Sequence, residues 1–224
     1  MSHRLDSRDD LPHLLNSLGL VGKGVEVGVY RGEYSKVLAE RWDGEELWLV
    51  DPWTHFDPVP ADGEWWKFPP RYVEQPWSPS TDRSERAGRN RSTVEHRANM
   101  EATRKNVEQY LSGKVLMKRM TSEQASLWVD DDSLSFVYLD GNHTYEAVRQ
   151  DIHSWYRKVQ PGGIIGGHDY SDIRWNYRGA WNRVKEAVDL YADKFGWELF
   201  FTDQPSGHHE DHVGTVSWFA VKPQ

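Results

Sequence analysis

Two short apolar runs, with a glycine-bearing turn and a helical stretch between them, restrict this chain more than anything else in it. Gly24–Val29 (GVEVGV) has the length and branched-residue content of a buried strand, and Tyr34–Arg41 follows as a helix. Glu46–Val50 (ELWLV) is a second strand, ending at Asp51. Strand, turn, helix and strand make a βαβ unit, whose strands must lie parallel with a right-handed crossover between them.

The same alternation returns downstream. Lys114–Lys118 (KVLMK), Ser135–Leu139 (SFVYL) and Gly163–Gly166 read as strands, with helices over Thr93–Leu111, Ser122–Trp128 and Tyr145–Val159. Pro161-Gly162-Gly163 stops the last of these helices. A helix over Ala180–Phe195 leads into strands Glu198–Thr202 and Thr215–Val221, whose connection is too short for a crossover helix, so they should pair antiparallel. A short helix over Asp10–Leu18 tolerates Pro12 in its first turn. The expected fold class is α/β, a Rossmann-like three-layer sandwich with a mostly parallel seven-stranded sheet ending in an antiparallel hairpin. The chain's 224 residues fit one such domain, broken only by an aromatic, proline-rich insert at about residues 52–92.

Several classes of function drop out on composition. A net charge of −8 argues against a dedicated nucleic-acid binder. The absence of cysteine removes disulfides, thiolate metal sites and cysteine nucleophiles. Met1–Asp10 lacks the apolar stretch of a signal peptide and no window reaches the length of a membrane span, so a cytoplasmic protein is expected.

Ligands of open α/β sheets sit beyond the carboxyl ends of the strands, which directs attention to the residues that follow each one. After the first come Gly28 and Gly32 in E-x-G-x-x-x-G spacing, which differs from the dinucleotide fingerprint and suits a ligand without pyrophosphate. After the second comes Asp51, a carboxylate able to accept ribose hydroxyls. Two later strand ends carry Asp140-Gly141-Asn142-His143 and Gly167-His168-Asp169, and in a parallel sheet both open on one edge, where their side chains can converge.

Glu26–Ser35 (EVGVYRGEYS), Leu47–Trp53 (LWLVDPW) and Leu139–Tyr170, with its D-G-x-H-x-Y, P-G-G and G-H-D-Y elements, resemble class I S-adenosylmethionine-dependent methyltransferases. They are most similar to the group of macrolide and aminocoumarin sugar O-methyltransferases. The resemblance implies that Glu26, Gly28, Tyr30, Gly32, Ser35 and Asp140 line the cofactor pocket, with Asp51 on the ribose and Thr121, Ser122 and Glu123 against the adenine. It also implies a magnesium ion on Asp140 and Asp169, with His168 standing where some members have a further acid. Asn142 stands where they have an acidic base, and it cannot act as one.

The expected reaction is transfer of a methyl group to a hydroxyl of a small molecule, a sugar or glycosylated natural product. His143 is the candidate base, and Asp169 would orient it or help to hold a metal. Catalytic residues are thus expected at His143, Asp169 and His168, and metal ligands at Asp140, His168 and Asp169. The insert's Trp53, Trp65, Trp66 and Trp77, with Phe56, Phe68 and Tyr72, would stack on a ring-bearing acceptor or staple the loop to the domain or to a second copy in a homo-oligomer. Arg83, Arg86, Arg89 and Arg91 read as a solvated charge run, and His208-His209-Glu210-Asp211-His212 as a polar loop. Two alternatives stay open: a non-haem iron hydroxylase using His143, His168 and Asp169, and a non-catalytic nucleotide- or sugar-binding module.

Overall fold

The computed structural model describes residues 5–54, 93–171, 176–177, 180–203 and 216–224. The sheet is built from β1 (Lys23–Val27), β2 (Glu46–Val50), β3 (Val115–Lys118), β4 (Leu134–Leu139), β5 (Val159–Tyr170), β8 (Leu199–Phe201) and β9 (Val216–Val221), in the order β3-β2-β1-β4-β5-β9-β8. Two-residue strands β6 (Asn176–Tyr177) and β7 (Ala180–Trp181) form a separate ladder. Neighbours from β3 to β5 pair parallel, and β9 pairs antiparallel with both β5 and β8. The expected mostly parallel sheet with a closing antiparallel hairpin is therefore present, and β9 is the strand inserted beside β5.

Among the described residues six α-helices flank it: α1 (Leu11–Ser17), α2 (Glu33–Arg41), α3 (Thr93–Asn106), α4 (Ser122–Ser126), α5 (Tyr145–Tyr156) and α6 (Val184–Phe195). β4 shows why there are two cores. Its six residues are all buried and alternate in direction, as strand geometry requires. Val137 and Leu139 enter one cluster with Ile152 and Trp155 of α5 and Val188 of α6, whereas Phe136 and Tyr138 enter another with Leu11 and Leu15 of α1 and Leu38 of α2. Trp42, at the end of α2, meets Phe136 edge-on at 4.8 Å and donates its indole N–H to the Leu20 carbonyl at 2.8 Å.

Several boundaries differ from the sequence reading: α3 ends at Asn106 and α4 at Ser126, short of the expected Leu111 and Trp128, and two further differences have a local cause. α5 ends at Tyr156, and β5 already begins at Val159, running through Pro161-Gly162-Gly163. Its register against β4 shifts between Leu134 and Phe136, a bulge that absorbs the proline's missing N–H and Gly162's φ of 77°. α6 begins at Val184 rather than Ala180, because Ala180–Trp181 is drawn into the small ladder. Among the described residues no helix is long and apolar enough to cross a membrane. Apart from Trp53, the insert aromatics named above, the four arginines and His208–His212 lie outside the described residues.

Candidate active site

The carboxyl ends of β1, β2, β4 and β5 meet at one edge of the sheet. The β1 turn is shaped by two glycines. Gly28 sits at φ 85°, and a Cβ there would lie 2.1 Å from the Asp140 carbonyl oxygen. Gly32 caps α2 at φ 76°, and a Cβ would stand 2.9 Å from Thr103 of α3. These glycines thus let the backbone of β1 close against the β4 turn on one side and α3 on the other.

Asp51 holds this turn in shape. Its Oδ2 accepts the Val29 and Tyr30 amides at 3.1 and 3.0 Å, and its Oδ1 accepts the Trp53 amide at 2.7 Å. Trp53, buried, returns an indole hydrogen bond to the Tyr30 carbonyl at 3.0 Å, and the Thr103 hydroxyl donates to the same oxygen. Trp53 is therefore a staple of the turn. A carboxylate offers roughly four acceptor sites, so three internal donors leave Asp51 room for one further hydroxyl rather than two. Burial raises its pKa, and the three amides oppose that rise.

Glu26 is 2% exposed and accepts the Ser35 hydroxyl at 2.5 Å. Burial pushes it up to about 8, with the Ser35 bond acting the other way. Its proton is thus kept in the folded state across a range in which the unfolded chain, near 4.5, has released it. Stability should fall as pH rises through that window, by up to about 1.4 kcal/mol per pH unit. Glu26→Gln mimics the protonated acid and removes this dependence. Thermal melts from pH 5 to 9 should show the variant gaining on the parent as pH rises; a gap independent of pH would refute the protonation state.

His143 lies between two carboxylates. Its Nδ1 is 2.9 Å from Asp169 Oδ2 and its Nε2 is 3.4 Å from Asp140 Oδ1, too poorly aligned for a hydrogen bond. Burial alone would lower its pKa, but the two carboxylates win and raise it to about 10. Asp169, at φ 59°, receives His143 on one oxygen and His168 Nδ1 at 3.1 Å on the other. Burial opposes the charge of Asp169, and the two imidazoles outweigh it, holding the group well below the usual carboxylate range. Ligand atoms of Asp140, His143 and Asp169 fall within 4.8 Å of one another, the one such trio among the described residues. His143, rather than His168, is the imidazole that stands with the two aspartates.

The residues expected at the adenine are more occupied. Thr121 caps α4, its hydroxyl accepting the Gln124 amide at 3.1 Å. Ser122 donates to Asp151 at 2.5 Å and accepts the Trp155 indole N–H at 2.8 Å. Glu123 is exposed. Two residues of this region carry no sequence signal. Asp151 of α5, raised to about 7 by burial, borders a cleft with Asn142, His143, His168 and Trp218. Arg8 reaches Asp140 Oδ2 at 3.3 Å from the opposite side.

A glycine turn closed by an acidic residue of the next strand thus stands with an Asp–His–Asp cluster at one edge of a mostly parallel sheet that ends in an antiparallel hairpin. A family model described as a methyltransferase domain matches residues 25–170, which span β1 to the end of β5. The chain belongs to this family, and with it to the class I S-adenosylmethionine-dependent methyltransferases. Among solved structures it is similar to the O-methyltransferase NovP (21% identity, 96% of this chain and 78% of that one, TM-score 0.57). It is likewise similar to the O-methyltransferase TomG of Streptomyces achromogenes (13%, 96% and 79%, 0.58) and to an rRNA methylase of Streptococcus thermophilus (10%, 95% and 95%, 0.53). At these identities the likeness is one of fold. A curated relative, the uncharacterized protein R132 of Acanthamoeba polyphaga mimivirus, is 29% identical over 82 residues, and the match spans 37% of its length.

Proposed function

We propose that the chain transfers the methyl group of S-adenosylmethionine to a hydroxyl oxygen of a small molecule, a sugar or a glycosylated natural product, with His143 as the base. The observation that carries this reading is the His143–Asp169 pair at 2.9 Å on the ends of β4 and β5. Asp169 fixes the ring through Nδ1, which leaves Nε2, without a hydrogen-bond partner among the described residues, to take a proton. NovP and TomG, both O-methyltransferases, support oxygen as the acceptor atom, and the net charge of −8 supports a small acceptor over a nucleic acid.

The cofactor supplies the methyl group as a sulfonium. The acceptor oxygen forms its bond to the methyl carbon as the carbon–sulfur bond breaks, its electron pair leaving on sulfur. His143 Nε2 receives the hydroxyl proton. Beside these two carboxylates His143 is cationic at neutral pH; positive charge added near Asp140, beyond that of Arg8, would weaken the pairing and move the ring toward its basic form. Glu26 and Ser35 shape the pocket floor, and Asp51 holds the turn while accepting one ribose hydroxyl.

The donor set fits a magnesium ion held by Asp140 and Asp169, since magnesium is commonly bound through one or two carboxylates and keeps several waters. Such an ion would polarise the acceptor hydroxyl. The iron-hydroxylase alternative wants two histidines and one carboxylate, whereas the trio here has one histidine and two carboxylates.

Calorimetric titration with S-adenosylmethionine, S-adenosylhomocysteine and NADH tests the reading. Binding of the first two in the micromolar range without NADH binding is expected, and no binding of either, with or without magnesium, would overturn it. Turnover lost in a chelator and restored by magnesium would support the metal; turnover untouched by the chelator would remove it.

A further inference from the structure

The charged side chains at the cofactor edge, Glu26 being held protonated by its burial, are predominantly acidic: Asp51, Asp140 and Asp169. Such a set suits the sulfonium and ammonium of S-adenosylmethionine but repels the one anion that the molecule carries, the α-carboxylate of its amino-acid arm. A cation has to offset that repulsion, and Arg8 is positioned to do so. Its guanidinium lies 4.6 Å from the centre of the Tyr34 ring and 3.3 Å from Asp140 Oδ2, with the side chain 20% exposed.

Arg8 is held there by its backbone. The turn Arg8–Asp10 is closed at Ser7 by a reciprocal capping box. The Tyr34 hydroxyl donates to the Arg8 carbonyl at 2.9 Å. Leu5, buried, bridges to Thr202 at the sheet's far end, and the Asp203 amide donates to the Leu5 carbonyl at 2.9 Å. So much anchoring for a short segment whose cation crosses 132 positions of sequence to reach Asp140 exceeds what a surface ion pair needs.

We propose that Arg8 and Asp140 together clamp the amino-acid arm of the cofactor, Arg8 binding the α-carboxylate and Asp140 Oδ2 the α-ammonium. An α-amino acid presents both charges on one carbon, matching a guanidinium and a carboxylate that already stand side by side. Tyr34 keeps the guanidinium flat for two-point contact with a carboxylate. Asp140 divides its oxygens: Oδ2 faces Arg8, and Oδ1 faces His143. The clamp therefore joins cofactor binding to the catalytic cluster through one side chain.

This inference rests on the cofactor reading above, and a ligand series separates the two. S-adenosylhomocysteine has the complete arm, its decarboxylated analogue keeps the amine alone, and methylthioadenosine has neither charge. The wild-type chain should bind S-adenosylhomocysteine more tightly than the decarboxylated analogue by about 10- to 100-fold. In Arg8→Met that advantage should vanish, with methylthioadenosine bound as before, which also shows that the variant is folded; Arg8→Lys should keep part of the advantage. An advantage that persists in Arg8→Met, or an equal loss for all three ligands, would overturn the clamp. Binding of methylthioadenosine by the wild type with no preference for the arm would overturn the clamp and leave the cofactor reading standing. Failure of all three ligands to bind the wild type would overturn both.

Discussion

His143→Ala should lower kcat by on the order of 10²- to 10⁴-fold, the usual worth of a positioned base, while leaving cofactor affinity within about threefold. The expectation follows from where the ring sits. Its ring pairs with Asp169 at 2.9 Å and Asp140 at 3.4 Å, and not with Asp51 or the Gly28–Gly32 turn proposed for the ribose, so that part of the cofactor should lose little when the ring is removed. Stability is affected as well. Two aspartates whose ligand atoms lie within 4.8 Å of the imidazole and of each other lose the cation between them, and the melting temperature should drop. Single-turnover rates taken well below that temperature, with bound cofactor measured separately, check the assignment. Full turnover in the variant would transfer the base role elsewhere, and a parallel loss of cofactor affinity would make His143 a positioning residue.

Asp51→Ala should weaken S-adenosylhomocysteine binding by on the order of 100-fold. Of the roughly 2.7 kcal/mol that this represents, about 1.5 kcal/mol comes from one charge-assisted hydrogen bond to ribose, and the rest from a turn that loses three anchors at once. The two contributions are separable with a 2′-deoxy analogue and its 3′-deoxy counterpart. In the wild type one of them should bind more weakly than the parent ligand; in Asp51→Ala neither deletion should cost anything further. If both deletions remain costly in the variant, Asp51 acts on the turn alone.

The frame of this site was legible because parallel strands announce themselves. GVEVGV, ELWLV and SFVYL are short, apolar and rich in branched residues, and each ends in a polar turn on the same edge. Once the βαβ order was read, Gly28, Asp51, Asp140, His143 and Asp169 had to share that edge. Side-chain direction was less accessible. Thr121 and Ser122 stand on the expected loop, but the first caps its own helix and the second is tied to Asp151 and Trp155, ties that depend on how α4 packs on α5. Arg8 and Asp151 gave no signal at all. An arginine in a polar lead segment and an aspartate on a helix resemble ordinary solvated charges until the partners, far away in sequence, are brought beside them. At Pro161-Gly162-Gly163 local chemistry misled: the breaker cluster reads as the stop of a helix reaching Val159, whereas β5 already begins at Val159 and runs through it with a bulge.

The position of β9 bears on how such a chain leaves the ribosome. β9 follows β5 and β8 in order of synthesis yet lies between them, and its adjacent Trp218 and Phe219 fill opposite cores. Until Val216–Val221 has emerged, β5 presents an unpaired edge and each hydrophobic layer lacks a large aromatic plug. The nascent sheet thus carries an adhesive, unpaired edge until β9 has been made, the interval in which chaperone protection counts most.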